Sequence, residues 1–111
     1  MRITAGEAIA IGPGKIRLLE AISETGSLSA AAKSIDMSYR RAWILVNELN
    51  SSLKKPAVES SKGGENGGGS QVTATGQQLI ALYRGIEVAA AVACKSDIQA
   101  LVRLLAVKST G

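Results

Sequence analysis

Apolar residues recur at intervals of three and four through most of this chain. Each break in that rhythm carries glycine, proline or a serine suited to start a helix. Ile16, Leu18, Leu19 and Ile22 predict a first helix from about Gly14 to Glu24, with Gly26 suited to the left-handed residue just past its end. Ahead of Gly12-Pro13-Gly14, the partial alternation of Ile3, Ala5, Ile9 and Ile11 predicts one or two short strands broken at Gly6. Ser27 can cap a short second helix, in which Ala30, Ala31 and Ala32 favour the helical state and let a neighbouring helix approach closely. Ser38 can cap a third helix reaching to Asn50. Its Ala42, Leu45, Val46 and Leu49 share one face, directed at Ala31, Ile35 and the first helix.

Beyond Asn50 the pattern changes. Pro56 to Ser60 is strand-like, glycine dominates Lys62 to Ser70, and Gln71-Val72-Thr73 is strand-like again, so a hairpin with a long glycine-rich tip is expected. Thr75 and Gln78 match a capping box, which predicts a long helix beginning near Gly76. Leu79, Leu82, Tyr83, Ile86, Ala90 and Ala93 continue it, and Ser96-Asp97 is placed to cap a further helix carrying Ile98, Leu101, Val102, Leu104 and Leu105. This tail is too apolar to stand alone in water. The expected fold is mainly α with a small β-hairpin wing: a winged helix-turn-helix over residues 1–75, then a long carboxy-terminal dimerisation helix in a helical tail over 76–111. Packing of that tail back on its own domain would hide the same residues.

If Ala42, Val46 and Leu49 face inward, Arg40, Trp43 and Asn47 point outward together, because they too lie three and four residues apart. A helix opening with Tyr39-Arg40-Arg41 fits the major groove of B-DNA, where guanidinium groups pair with guanine acceptors or phosphate. The candidate contacts are Ser29, Ser38, Tyr39, Arg40, Arg41, Trp43 and Asn47. Trp43 suits a thymine methyl or sugar, against the simpler role of a core tryptophan. Tyr39 can donate to phosphate or touch a base, against packing on the neighbouring helix. In the glycine-rich segment, Lys62, Asn66 and Ser70 offer donors to the sugar-phosphate wall; the bland alternative is a plain hairpin tip. That segment lacks the Gly-Lys-Ser/Thr ending of a nucleotide-phosphate loop.

Composition narrows the alternatives. The 111 residues are 46% hydrophobic, enough for one modest core, and the formal charge of +4 favours a polyanionic partner. With no histidine and a single cysteine, the chain can build neither a cysteine-histidine zinc site nor an internal disulfide, and Cys94 reads as a small buried apolar residue. No cofactor or metal is expected, and no nucleophile has a histidine base, so an enzyme is not indicated. The longest apolar run, Val88 to Cys94, is far short of the roughly 20 residues that span a bilayer. No membrane association and a cytoplasmic location are expected.

Gly12-Pro13-Gly14-Lys15-Ile16, Leu19-Glu20-Ala21-Ile22, Thr25-Gly26-Ser27-Leu28-Ser29-Ala30-Ala31-Ala32, Met37-Ser38-Tyr39-Arg40-Arg41-Ala42-Trp43 and Gly67-Gly68-Gly69-Ser70 resemble the amino-terminal domain of ModE-type molybdate-dependent transcriptional regulators. The pattern is more distantly similar to the LysR-type winged helix. The resemblance, over roughly residues 1–85, implies a DNA-binding protein that dimerises through the helix after the wing. It also implies a two-fold double-stranded operator and, usually, repression of molybdate-uptake genes. Full-length members carry a carboxy-terminal molybdate-binding portion, whereas helical sequence continues here to Gly111. The expectation is therefore a homodimeric regulator of the ModE type lacking the molybdate-binding domain, with any effector acting through a separate sensing chain. The alternative is a non-catalytic winged-helix module that binds protein.

Overall fold

The computed structural model describes residues 3–5, 8–61 and 69–106. Strands β1 (Ile3–Ala5) and β2 (Ala8–Ile11) form an antiparallel pair that leads into three helices, α1 (Pro13–Thr25), α2 (Leu28–Ser34) and α3 (Tyr39–Ser52). An antiparallel hairpin follows, β3 (Val58–Ser61) with β4 (Gly69–Val72), in register from Val58↔Val72 to Ser61↔Gly69. Helices α4 (Ala74–Ala93) and α5 (Lys95–Leu104) complete the order. The fold is a mainly helical winged helix-turn-helix with a long helix after the wing.

Local chemistry accounts for the helix ends. Pro13 starts α1, where its missing N–H costs nothing and its fixed φ is already helical. Gly26 closes it at φ 70°, its N–H returning to the Ile22 carbonyl. The Ser27 hydroxyl accepts from the Ala30 N–H at 3.2 Å and the Ser38 hydroxyl from the Arg41 N–H at 3.1 Å, so both expected serine caps are present. Between α2 and α3 the chain turns through Asp36 at φ 56°, a left-handed conformation that short polar side chains tolerate better than most.

The core lies where α1, α2 and α3 meet. Ile16, Leu18, Leu19 and Ile22 of α1 are buried together with Ala31 and Ala32 of α2 and Ala42 and Leu49 of α3. Leu45, Val46 and Ile35 are half-buried against this cluster. From the far side α4 contributes Tyr83, fully buried, with Leu79 and Ile80 partly so. A forked contact ties α4 to α1: Arg84 Nε and Nη2 donate to the Glu20 carboxylate at 3.0 and 2.5 Å, while Nη1 reaches Glu87 at 2.7 Å.

Three expectations need correction. The start of α4 is capped by Thr73, not Thr75: its hydroxyl accepts from the Gly76 N–H at 3.1 Å. Thr73 wins because it is also held against the segment before β3, donating its hydroxyl to the Pro56 carbonyl at 2.7 Å and its N–H to that of Ala57 at 2.9 Å. Ser96 and Asp97 lie inside α5, whose N-cap is Cys94 with no side-chain hydrogen bond. Cys94 itself is exposed, because α4 beyond Tyr83 and all of α5 project away from the core of this chain.

Two measurements test this packing. A Cβ on buried Gly76 would collide with the Ala57 carbonyl oxygen and Val72 Cγ1, whereas one on Gly85 would meet nothing within 4 Å. Gly76→Ala should therefore lower unfolding stability by about 1 to 3 kcal/mol, while Gly85→Ala should raise it by about 0.4 to 1 kcal/mol in chemical denaturation.

The hydrogen bonds from Arg84 hold the Glu20 carboxyl below its ordinary value of 4.5. A depressed carboxylate stabilises the folded state above its unfolded pKa and loses that contribution as pH falls through the folded one. Wild type should thus be more stable than Glu20→Gln at neutral pH, and the gap should close on acidification below about 4.5. The effect should be small, because both side chains are partly exposed.

Candidate nucleic-acid interface

The orientation of α3 follows from its buried face. Ala42 is fully buried and Leu49 nearly so, which fixes the helix about its own axis. Residues one step away in the 3.6-residue repeat then turn outward: Trp43 is 54% exposed, Tyr39 is 57% exposed, and Arg40 and Asn47 are exposed beside them. Trp43 is therefore a surface tryptophan, not a core one. Among the described residues the guanidinium groups of Arg40 and Arg41 have no hydrogen bond or ion pair within the chain. Asn47 donates Nδ2 to the Trp43 carbonyl at 2.8 Å, so a bidentate contact to adenine would require it to release its own helix.

Seven of the predicted residues fall into three places, while Arg40 stands exposed outside all of them. Trp43, Asn47, Tyr39 and Ser70 border a cleft of about 250 Å³ between α3 and the hairpin, with Ser60 on its hairpin wall. Ser29, Ser38 and Tyr39 line a second depression along the α2–α3 turn, about 430 Å³, together with Lys33 and Asp36. Arg41 is separate from both, lying with Gly12 to Lys15 and Glu48 on the flank of α3 that faces the start of α1. There Lys15, almost buried, pairs with Glu48 at 3.4 Å.

Ser70 belongs to the stem of the wing: its N–H donates to the Gly26 carbonyl at 3.0 Å, which ties β4 to the α1–α2 corner. Lys62 and Asn66 lie outside the described residues.

Two residues of this surface escaped the sequence reading. Lys33 is exposed one helical turn beyond Ser29, and that four-residue spacing is a signal that could have found it. Asn50 had no such signal. At the last turn of α3 its Oδ1 accepts from the N–H groups of Ala57 and Val58 at 2.8 and 3.3 Å, while Nδ2 donates to the Val58 carbonyl at 3.1 Å.

The pattern of the lysR family of bacterial regulatory helix-turn-helix proteins matches residues 14–77, which run from the second residue of α1 to the start of α4. The chain belongs to this family. Its sequence is 44% identical over 71 residues to the DNA-binding transcriptional dual regulator ModE of Escherichia coli, covering 64% of this chain and 27% of that protein. It is 38% identical over 88 residues to the molybdenum transport protein ModE of Azotobacter vinelandii, covering 79% and 33%. With the molybdenum-pterin-binding protein MopB of Rhodobacter capsulatus it shares 43% identity over 81 residues, covering 73% and 30%. The chain thus spans about a third or less of the curated relatives it matches.

Among solved structures, the CbnR_DBD–DNA complex superposes with a TM-score of 0.62 at 23% identity, over 81% of this chain and 99% of that one. The LysR family transcriptional regulator VV2_1132 gives 0.59 at 17%, over 81% and 29%. At these identities the likeness establishes the fold.

Proposed function

We propose that this protein is a sequence-specific, DNA-binding transcriptional regulator of the ModE type, acting in the cytoplasm without catalysis. One observation carries the reading: Arg40, Trp43 and Asn47 stand exposed along a helix whose opposite face is sealed by Ala42 and Leu49, beside a hairpin. Membership of a regulatory helix-turn-helix family and identity with ModE proteins support it. In this reading α3 enters the major groove, Arg40 pairs with a base, and Tyr39, Trp43 and Asn47 contact bases or sugars along the same row. Ser29, Ser38 and Arg41 hold flanking phosphates, with Lys33 added to them, and the wing residues Lys62, Asn66 and Ser70 do so on the other side.

Residues 1–75 form the DNA-binding unit and 76–111 a dimerisation tail whose first turns dock back on the unit. The tail leaves Leu82, Val88, Val92 and Leu101 exposed, an apolar surface that a second copy would cover. Two copies then address a two-fold operator, with recognition helices about 34 Å apart or a multiple of it.

Selection of bound sequences from a random pool of double-stranded DNA should return a palindrome with that spacing. Arg40→Ala should weaken binding to the selected site by about 1 to 3 kcal/mol in a mobility-shift titration. Unchanged affinity would remove Arg40 from the readout, and no binding by wild type even at low salt would favour a protein-binding module instead.

We assign DNA binding, and no effector site, to these 111 residues. Calorimetric titration of this polypeptide with molybdate should show no tight binding, and a saturating isotherm would overturn that assignment.

A further inference from the structure

The wing could be joined to the recognition helix only by the segment between them, residues 53–57, which would let it rotate as a loose arm. Instead the carboxamide of Asn50 bridges the two. Its oxygen takes both N–H groups at the entry to β3, and its nitrogen takes the Val58 carbonyl, so one side chain acts on that edge as a short extra strand would. The opposite strand is held independently, by the Ser70 N–H on the Gly26 carbonyl at 3.0 Å, and the two anchors are linked across the ladder by the Ser60↔Ser70 pair. Asn50 is half-buried and directs its hydrogen bonds wholly at the hairpin, in the same helix whose Arg40, Trp43 and Asn47 face outward.

We infer that Asn50 is a positioning residue for DNA recognition: it fixes the hairpin at one distance and angle from α3, so that wing and recognition helix engage one DNA duplex as a single rigid unit. The inference rests on the DNA-binding reading above. Its physical basis is length and chemistry. Asparagine supplies an acceptor and a donor at the reach the Ala57 and Val58 backbone requires, and alanine supplies neither. Without the bridge the base of the hairpin stays attached through buried Ala57 and Val58 and through Ser70. The direct tie from α3 to β3 is lost, however, so the range of angles between wing and helix widens and any phosphate contact the wing makes requires ordering first.

Three measurements on the full chain test this. In the free protein, residual dipolar couplings of β3 and β4 should fit the same alignment as α1 to α3 in wild type and should cease to do so in Asn50→Ala. On the selected operator, Asn50→Ala should make the dependence of affinity on salt shallower, the logarithmic slope falling by about one for each phosphate that the wing no longer neutralises. In a double-mutant cycle, Lys62→Ala, which removes the cation that follows β3 in the chain, should weaken binding roughly fivefold in wild type but under about twofold in Asn50→Ala. Asn50→Asp keeps an acceptor at the same reach and loses only the donor to Val58, should leave the couplings nearer a single alignment than the alanine variant does, and serves if that variant is too unstable.

Couplings that fit one alignment in the substituted proteins as closely as in wild type would overturn the inference. So would equal losses from Lys62→Ala in both backgrounds, the result expected if Asn50 only contributes to stability. Failure of the wild-type protein to bind any DNA is distinguishable from either, since it would overturn the DNA-binding reading and this inference with it.

Discussion

The close approach of α2 to α3 decides how this molecule presents itself. Ala31 and Ala32 on one helix and Ala42 on the other are buried with at most 1% of their surface exposed, and side chains this small bring the two backbones together without a gap. A bulkier residue at any of the three would push the helices apart or rotate α3 about its axis. Rotation would change the surface more, because one residue's turn of about 100° would carry Arg40 and Trp43 off the outward face. The serine caps at Ser27 and Ser38 fix where each helix begins, and the left-handed turn at Asp36 sets the angle between them.

Around that seam the other elements act as supports. Helix α1 supplies most of the bulk of the core through Ile16, Leu18, Leu19 and Ile22, and α4 closes its far side with Tyr83 and the Arg84–Glu20 fork. Thr73 and Gly76 do the same for the start of α4. The threonine is bonded to Pro56 and Ala57, and the bare Cα of Gly76 lets the helix pass directly over the Ala57 carbonyl. The wing is thus held by backbone and side-chain hydrogen bonds on both its strands, a more directional attachment than apolar contact alone. Positive charge is distributed over this frame unevenly: among the described residues the guanidinium groups of Arg40 and Arg41 have no partner in the chain, while Lys15 and Arg84 are neutralised by Glu48 and Glu20.

Most of the fold was legible in order of sequence. Helical periodicity, the Ser27 and Ser38 caps, Gly26 past the end of α1 and the two strand-like stretches around a glycine-rich segment are local signals, and each names its element directly. The outward placement of Arg40, Trp43 and Asn47 was also legible, because three-and-four spacing divides one helix into two faces whatever lies beyond it. The errors share a cause. Thr75 matched a capping pattern, but Thr73 was chosen by contacts with Pro56 and Ala57 some 17 residues away in the chain. Cys94 looked like a core residue by type, yet it sits where α4 and α5 have left the core behind.

The order of residues alone thus dictates the set of elements, most of their caps and the split of α3 into apolar and polar faces, since these depend on neighbours within about four positions. Which groups meet across the chain was settled by folding. Helical spacing sets Arg41 about 100° from Arg40, but packing decided that its flank faces the start of α1, and it joined Asn50 to Ala57 and Val58. It also set Gly76 against the Ala57 carbonyl. Such contacts depend on how helices and strands are stacked, and no periodicity along a chain records the distance between two of its elements.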